Sequence, residues 1–552
     1  MAVSQTMTSS TPMAGSGSIL SLPATRISWK WWALWLTGFG VLSMMIPRDA
    51  SYDVVHYHLH NGWSVLNGRG DTDLAPAELH TYLNPTWQVL IWSLIDLLPG
   101  RAVAFLLGAM QGLLLPALYT ITRRLLTKSG VQPHALTVIA IAVAGFFAEA
   151  QFGLFGSVRN DALCALAFLA SLILILPEER AVPAFRAIAL ASLLMGAITG
   201  LKLTNMVYVA GFASALLVLL PDWRLRLQGA ALAGATGLAG IIMFGGPWAW
   251  HLYSEFGNPI FPMMNTVFDA PLGPDTAFRD TKFLPSSFVD GVFRPFAFLI
   301  DAELIHEHDY FDLRFLMGYL GALALLATAW VKRADLPPQL LRTLAAFAAA
   351  FIGVFTIWSI AFSIGRYVIA LWMLGPVFVA VLLANWKPDW FSNRLAPHVS
   401  LGACALLFVS TQPAELRRAH WQSWAEPYYS ASIPNAAKYE GATIIFSGRY
   451  PSAALATGFP ASATFTHAVP VQWSAPALDN YRPVIREHWR QNADRLFVII
   501  LDTENHFAKT IGRLQDEESL RVEPQTCQPI DTSFDAPQMK WMICPAELQK
   551  SF

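Results

Sequence analysis

Long apolar stretches separated by short polar segments fill the chain as far as about residue 411. A helix that crosses a bilayer needs about 17 to 25 predominantly apolar residues. The pattern therefore predicts about eleven membrane-spanning helices, several of them short. The predicted spans are 31–47, 102–121, 135–151, 161–177, 186–200, 204–220, 229–246, 313–331, 343–361, 367–385 and 398–411.

Basic residues collect in alternate connections between these spans. The connections are TRRLLTK, EERAVPAFR, PDWRLRL, VKRADLPPQLLR and NWKPDWFSNR. Lys and Arg accumulate on the cytoplasmic side of membrane proteins, so these connections and the N-terminus are predicted to lie inside. The loops 48–101 and 247–312, and everything after about residue 411, then lie outside.

The segment 84–100, NPTWQVLIWSLIDLLPG, is apolar but short and ends at Pro-Gly. Counting it as a span would reverse the side of every later loop and contradict the distribution of basic residues. We therefore expect a helix that lies in the outer interface.

Composition changes along the chain and divides it into three parts. Residues 1–29 are rich in Ser, Thr, Met, Gly and Pro and predict a disordered cytoplasmic tail. Residues 30–411 form the predicted membrane domain. In 412–552, the short apolar runs GATIIFSG and RLFVIILDT predict buried strands and SAPALDNYRPVIREHWRQNA predicts a helix. Residues 412–552 are therefore predicted to form a small soluble α/β domain on the outer, periplasmic face.

The four cysteines divide in the same way. Cys164 and Cys404 lie in apolar runs and are expected to fill helix packing. Cys527 and Cys544 lie in polar sequence, and they either form a disulfide, which requires an oxidising compartment, or remain two free thiols.

Overall composition excludes a soluble globular protein. Only 14% of the residues are charged, against about 25% in soluble domains, and mean hydropathy is +0.42. The formal net charge is −1. Charge therefore gives no reason to expect a nucleic-acid partner, whereas the lipid bilayer is a predicted one.

Polar side chains collect on the predicted outer side, in six separate elements. They are Asp53, His56, His58, His60, Asn61, Glu78, His80, Asn84, Arg159, Asn160, Asp161, Lys202, Thr204, Asn205, His251, Glu255, Asn258, Asn265, Arg366 and Tyr367. Each basic residue also has an ordinary explanation. Arg159 can pair with Asp161, Lys202 can reach the headgroups, and Arg366 can anchor the interface. Polar groups near a membrane are costly, so their convergence on one side favours a site.

The motif HYHLH, residues 56–60, raises the question of a metal. Histidines at this spacing share one face of a strand, and the outer two share a helix face. No accompanying Cys or second His pair has zinc-finger spacing, which argues against structural zinc. A divalent cation held by Asp53, one histidine and a substrate phosphate stays open.

The loop DVVHYHLHNGWSVLNGR, followed by HTYLNPTWQVLIW, resembles the first outer loop of GT-C integral-membrane glycosyltransferases of bacterial type. FGNPIFPMMN and SIGRY are similar to other outer segments of that superfamily. The resemblance covers roughly 30–411 and is carried by topology and short motifs. It implies a GT-C-like membrane fold and a polyprenyl-phosphate-linked sugar as donor. It also implies that the acidic residue after the first span, here Asp53, acts in catalysis.

The chemistry agrees with these residue types. Glycosyl transfer needs a base that accepts the acceptor's hydroxyl proton, and one carboxylate suffices for a single, inverting displacement. Asp53 is the expected base, with His56, His58 or Asn84 orienting substrate. Arg or Lys side chains stabilise a departing phosphate.

The expected phosphate ligands are Arg159, Lys202 and Arg366, and Asp161 and Asn258 complete the predicted substrate-binding set. The acceptor is a saccharide, lipid or protein of the cell envelope, at the outer face of an inner membrane. Two alternatives stay open: a transporter or flippase of a lipid-linked saccharide, and a non-catalytic membrane scaffold. A transporter would place polar groups at the midplane and on both faces, often with internal repeats.

Overall fold

The computed structural model describes residues 28–549, apart from 179, 181, 277–278, 415–416, 449–451, 469–474, 504–505 and 535–539. Nearly all of the predicted tail, 1–29, lies outside the described residues.

Helices predominate as far as Ser410, and one helix or a consecutive pair lies at each of the eleven predicted spans. The helices are α1 Trp29–Met45, α2 Leu59–Leu66, α3 Thr86–Leu97, α4 Gly100–Gly112, α5 Leu114–Lys128, α6 Ala135–Phe146, α7 Glu149–Phe152, α8 Asp161–Ile175, α9 Phe185–Leu201, α10 Met206–Leu219, α11 Trp223–Phe256, α12 Asn265–Phe268, α13 Phe288–Ala297, α14 Arg314–Val331, α15 Pro338–Ala361, α16 Ile369–Trp386, α17 Asp389–Ser392 and α18 Ala396–Ser410.

By length and composition, five helical segments among the described residues can cross a membrane. They are Gly100–Lys128, Trp223–Phe256, Arg314–Val331, Pro338–Ala361 and Gly365–Trp386. Shorter apolar helices accompany them at Ala135–Phe146, Asp161–Ile175, Phe185–Leu201, Leu203–Leu219 and Ala396–Ser410. The chain is thus an α-helical polytopic membrane protein.

Two helices approach each other through glycine. Gly196 of α9 and Gly240 of α11 have no room for a Cβ, because the backbone of the opposing helix occupies that position. Small residues allow such close contact between membrane helices. The packing fixes the end of α9, where Lys202 follows.

The segment 84–100 contains a separate short helix, α3, and the next helix begins only at Gly100. Twelve residues span about 18 Å, which is less than the hydrocarbon core. This length agrees with the prediction that the segment does not cross.

The last domain is an α/β domain, as predicted. Its elements are β2 Arg418–Ala419, β3 Ala431–Ser432, β4 Thr443–Ser447, β5 Thr464–Ala468, α19 Arg482–Gln491, β6 Leu496–Asp502, α20 Phe507–Glu518, β7 Leu520–Val522, β8 Gln528–Thr532 and β9 Lys540–Leu548, and β1 Arg48–Asp49 lies in the first loop. The main sheet has the order β3-β8-β9-β6-β4-β5, with β7 also paired to β9. Strands β5, β4 and β6 are parallel. Cys527 and Cys544 form a disulfide, which confirms that pairing.

The loop 48–101, called the first loop below, is attached to this last domain. Strand β1 pairs with β2, and Leu74 forms a bridge to Thr466 at the edge strand β5. The buried Arg69 guanidinium donates to the carbonyls of Ala461 and Ala463. The first loop and the last domain therefore share one interface, which lies beside Asp53.

Candidate active site

Asp53 lies four residues after β1 and directly before a π-helical turn, Val54–His58, that leads into α2. π-Helical turns are rare and occur frequently at functional sites. The attached strand and the turn together fix the position of the Asp53 side chain.

Arg366 is the ion-pair partner of Asp53. Its Nη2 lies 3.1 Å from Oδ2 of Asp53, and Nη1 lies 3.4 Å from Oε1 of Glu307. Burial alone would raise the pKa of the Asp53 carboxyl, but the guanidiniums of Arg366 and Arg159 outweigh burial and hold the pKa below its usual value. Asp53 is therefore a carboxylate at neutral pH, as a proton acceptor must be.

Arg159 is held by a different carboxylate. Its Nη2 donates to Oδ2 of Asp49 across 2.8 Å, and both side chains are buried. Ser157 Oγ accepts a further bond from Nε. Arg159 is thus fixed within the electrostatic reach of Asp53, although Asp49 is its direct partner.

Lys202 pairs with Asp161 across 2.6 Å, and its Nζ lies 4.7 Å from the centre of the Tyr367 ring. Burial alone would lower the pKa of Lys202, but Asp161 and Tyr367 outweigh burial and raise it. Lys202 therefore remains charged. The three predicted phosphate ligands each have a carboxylate partner, so an incoming phosphate would share these cations with carboxylates.

His56 is fully buried. Its ring lies 4.9 Å from the Tyr52 ring and 5.1 Å from the His80 ring, measured between centroids. Among the described residues, neither ring nitrogen has a hydrogen-bond partner. Burial lowers the pKa of His56 well below its usual value, and His80 lowers it further. A neutral imidazole with unused nitrogens is suited to binding a sugar hydroxyl.

His58 uses one ring nitrogen in the fold, because its Nδ1 lies 3.0 Å from the side-chain nitrogen of Gln88. Burial lowers the pKa of His58 to about 3. The last domain adds another histidine, His467 of β5, whose Nε2 lies 3.4 Å from Oε1 of the buried Glu78. Burial lowers the pKa of His467 to about 3. His467 is not among the predicted site residues, because no motif surrounds it in the sequence.

Asn84 and Asn258 hold backbone segments. The Asn84 amide donates to the carbonyls of Gly200 and Phe244, joining α9 to α11 one turn before Pro247. The Asn258 amide donates to the carbonyl of Met263. Among the described residues, neither side chain has a hydrogen bond to Asp53 or to its charged neighbours. Their predicted contact with substrate stays a prediction.

Arg366 also lines a small cavity of about 20 Å³, called the polar cavity below after the charged and polar residues around it. Its charged and polar lining consists of Glu149, Arg159, His306, Tyr310 and Arg366. Glu149 is not among the predicted site residues, because it lies inside the predicted span 135–151. The helix ends earlier, at Phe146, and Glu149 begins a separate short helix. A single carboxylate at the end of an apolar run was the signal that could have identified it.

An apolar cleft of about 300 Å³ lies between α6, α14, α16 and α18. Leu313 and Ser410 line it, and they are adjacent in sequence to Asp312 and Thr411. Oδ2 of Asp312 accepts a hydrogen bond from the backbone N–H of Glu149. The cleft therefore reaches to within a few residues of the polar cavity.

Among the described residues, no group of three or more His, Cys, Asp or Glu side chains is arranged to hold a metal ion. The divalent-cation hypothesis thus depends on ligands from substrate.

Comparison with known proteins found no matching family model and no matching curated protein. The solved structures that match include ArnT from Cupriavidus metallidurans bound to undecaprenyl phosphate, at 16% identity and a TM-score of 0.43. That match covers 69% of this chain and 65% of ArnT, so this chain spans just under two thirds of that structure. ArnT from the same organism in the apo state matches at 12% identity and a TM-score of 0.49, covering 93% of this chain and 98% of ArnT. At these identities and TM-scores the matches do not assign the chain to a family.

Proposed function

We propose that the chain is an inverting membrane glycosyltransferase that moves a sugar from a polyprenyl-phosphate donor to an acceptor. The acceptor is a saccharide, lipid or protein at the periplasmic face of an inner membrane. The observation that carries the proposal is the pair of Asp53 and Arg366 beside a polar cavity. It combines an ionised carboxylate with a cation suited to phosphate.

In this reaction the acceptor hydroxyl attacks the anomeric carbon and transfers its proton to Asp53. The bond from the anomeric carbon to the phosphate oxygen breaks, and polyprenyl phosphate leaves. Arg366, with Lys202 and Arg159 nearby, stabilises the charge that develops on the phosphate. The neutral ring of His56 orients a sugar hydroxyl. The apolar cleft is suited to the first units of the polyprenyl chain, because it approaches the polar cavity from among the membrane helices.

The test uses purified protein in detergent or liposomes with a panel of polyprenyl-monophosphate sugars. We expect release of polyprenyl phosphate and transfer of the sugar. Asp53→Asn keeps the shape of the side chain but cannot accept the proton, so transfer should fall by about 100-fold or more. Asp71→Asn is the matched control, because Asp71 lies exposed in the same loop. Transfer by Asp53→Asn at the wild-type rate would exclude the role of Asp53.

The same assay separates this proposal from the transporter alternative. Liposomes loaded with donor report translocation of the saccharide as well as its cleavage from phosphate. Translocation with the phosphate bond intact would identify a flippase and overturn the proposal.

A further inference from the structure

Glu307 is a second carboxylate on Arg366, and the proposed reaction has not used it. Its Oε1 lies 3.4 Å from Nη1 of Arg366, whereas Oδ2 of Asp53 lies 3.1 Å from Nη2. A guanidinium presents a planar fork of donors that suits the oxygens of a carboxylate or of a phosphate. One cation thus holds two carboxylates at the place where the proposed function needs a phosphate.

The neighbouring cations do not relieve this competition. Arg159 and Lys202 each have a buried carboxylate partner of their own, at 2.8 Å and 2.6 Å. A phosphate that joined Asp53 and Glu307 on Arg366 would place three anionic groups around one guanidinium. Like charges at such short distances repel strongly. One carboxylate therefore has to leave Arg366 before a phosphate binds there.

Glu307 is the carboxylate that can leave. Its side chain is 41% exposed, against 14% for Asp53, and its contact with Arg366 is the longer of the two. Among the described residues, it has no second ion-pair partner. Exposed ion pairs contribute little stability, because water solvates each partner when the pair opens.

The backbone around Glu307 also permits the change. Glu307, His308 and Asp309 are consecutive exposed residues in the irregular segment before α14, so Glu307 can turn to solvent without breaking a helix or strand. Asp53, by contrast, is fixed between β1 and the π-helical turn.

Arg366 has binding capacity that the fold does not use. Among the described residues, its buried Nε has no hydrogen-bond partner. Most buried donors are satisfied, so an unused donor on a charged side chain points to a ligand. A phosphate offers Arg366 more acceptor oxygens than the single 3.4 Å contact with Glu307 supplies.

We propose that Glu307 takes the place of the donor phosphate on Arg366 in the empty protein and is displaced when the donor binds. This inference rests on the proposed function. No covalent bond changes in the exchange, because one anion replaces another on the guanidinium. After transfer, the return of Glu307 to Arg366 favours release of polyprenyl phosphate. Glu307 is thus a positioning residue that acts through Arg366.

The test measures binding of radiolabelled polyprenyl phosphate to the purified protein. Glu307→Gln keeps the size of the side chain and removes its charge. If Glu307 covers Arg366 in about nine of ten empty molecules, removing the charge makes the site about tenfold more available, so Kd should fall by about tenfold. Glu307→Ala should give the same fall. Asp309→Asn, an exposed carboxylate in the same segment, is the matched control and should bind as wild type does.

Two further readouts separate exchange from a structural role. Polyprenol, which lacks the phosphate, should bind wild type and Glu307→Gln equally, because the exchange needs an anion. In transfer assays the KM for the donor should fall in Glu307→Gln while kcat does not rise, because the product leaves more slowly. The unfolding temperature should match that of wild type, since the side chain is exposed.

The possible results decide between the proposals. A Kd for polyprenyl phosphate that is unchanged or higher in Glu307→Gln would overturn the exchange and leave the proposed transferase intact. Equally tighter binding of polyprenol would also overturn it, because the effect would not depend on the phosphate. A wild type that neither binds polyprenyl phosphate nor transfers sugar would overturn both.

Discussion

Arg366 contacts the carboxylate of Asp53 across 3.1 Å and so joins the first loop to the residues that lead into α16. The same guanidinium lies 3.4 Å from Glu307 and lines the polar cavity. A single side chain therefore links the expected base to the expected phosphate site.

Replacing Arg366 should remove transition-state stabilisation. Arg366→Met should lower transfer by about 30- to 1000-fold, the effect of losing about 2–4 kcal/mol from one charged contact. Arg366→Lys should recover only part of this loss, because a lysine cannot present a planar fork to two partners. Initial rates with a polyprenyl-phosphate sugar provide the measurement.

Arg333→Met, at the exposed end of α14, is the control for loss of an arginine. If Arg366→Met transferred sugar within a few-fold of wild type, the phosphate would have to bind elsewhere.

Replacing Arg159 should lower stability as well as activity, because its direct partner is the buried Asp49. Arg159→Met leaves that carboxylate unpaired, and breaking a buried pair from one side costs about 3–5 kcal/mol. We expect a lower unfolding temperature in detergent, together with lost activity. Adding Asp49→Asn to Arg159→Met should restore part of the stability. An unchanged unfolding temperature for Arg159→Met would show that the pair contributes little.

At low pH, the rate of transfer should be limited by protonation of the Asp53 carboxylate. Its pKa lies below the usual value, so the carboxylate persists and transfer should not decline through this group between pH 7 and pH 5. In Arg366→Met the main charge that lowers this pKa is gone, so the acid limb should move to higher pH. Profiles of kcat/KM for both proteins give the comparison, and an unshifted limb would contradict the ion pair as the cause.

The cysteines of the disulfide can be used to test whether the last domain lies on the outer side of the membrane. In a Cys164→Ala/Cys404→Ala background, a membrane-impermeant thiol reagent should label Cys527 in intact cells only after reduction, because it is bonded to Cys544. Arg333→Cys in a background without other cysteines should be labelled only after the membrane is broken. Labelling of Cys527 that also required broken cells would reverse the orientation.

The helices could be predicted because twenty or so apolar residues in sequence are a local signal. Helix ends were harder to predict. α11 continues through Pro247 to Phe256, past the predicted end at 246, and the Asn84 amide binds a carbonyl just before that proline. Asn84 is distant in sequence, so periodicity could not reveal this contact.

In the candidate site, too, residues with a local sequence signal could be predicted and contacts between distant residues could not. Asp53 and Arg366 were selected because each is a charged residue beside an apolar run. Their partnership, and the pairing of Arg159 with Asp49, join positions far apart in sequence. Glu149 was missed because its identity as a cavity residue depends on a helix break at Phe146. The sequence alone therefore identifies candidate residues, but it does not show which distant residues they contact in the folded protein.

The docking of the first loop on the last domain has a consequence for biosynthesis. Asp73 pairs with Arg69 at 2.7 Å and accepts a 3.0 Å hydrogen bond from the backbone N–H of Phe465. The ribosome makes the first loop early and Phe465 hundreds of residues later. The loop that carries Asp53 must therefore remain unfinished on the membrane until almost the whole chain has been made. A chain cut short before Phe465 would insert its helices yet lack these contacts, so premature termination should leave no working copy of the site.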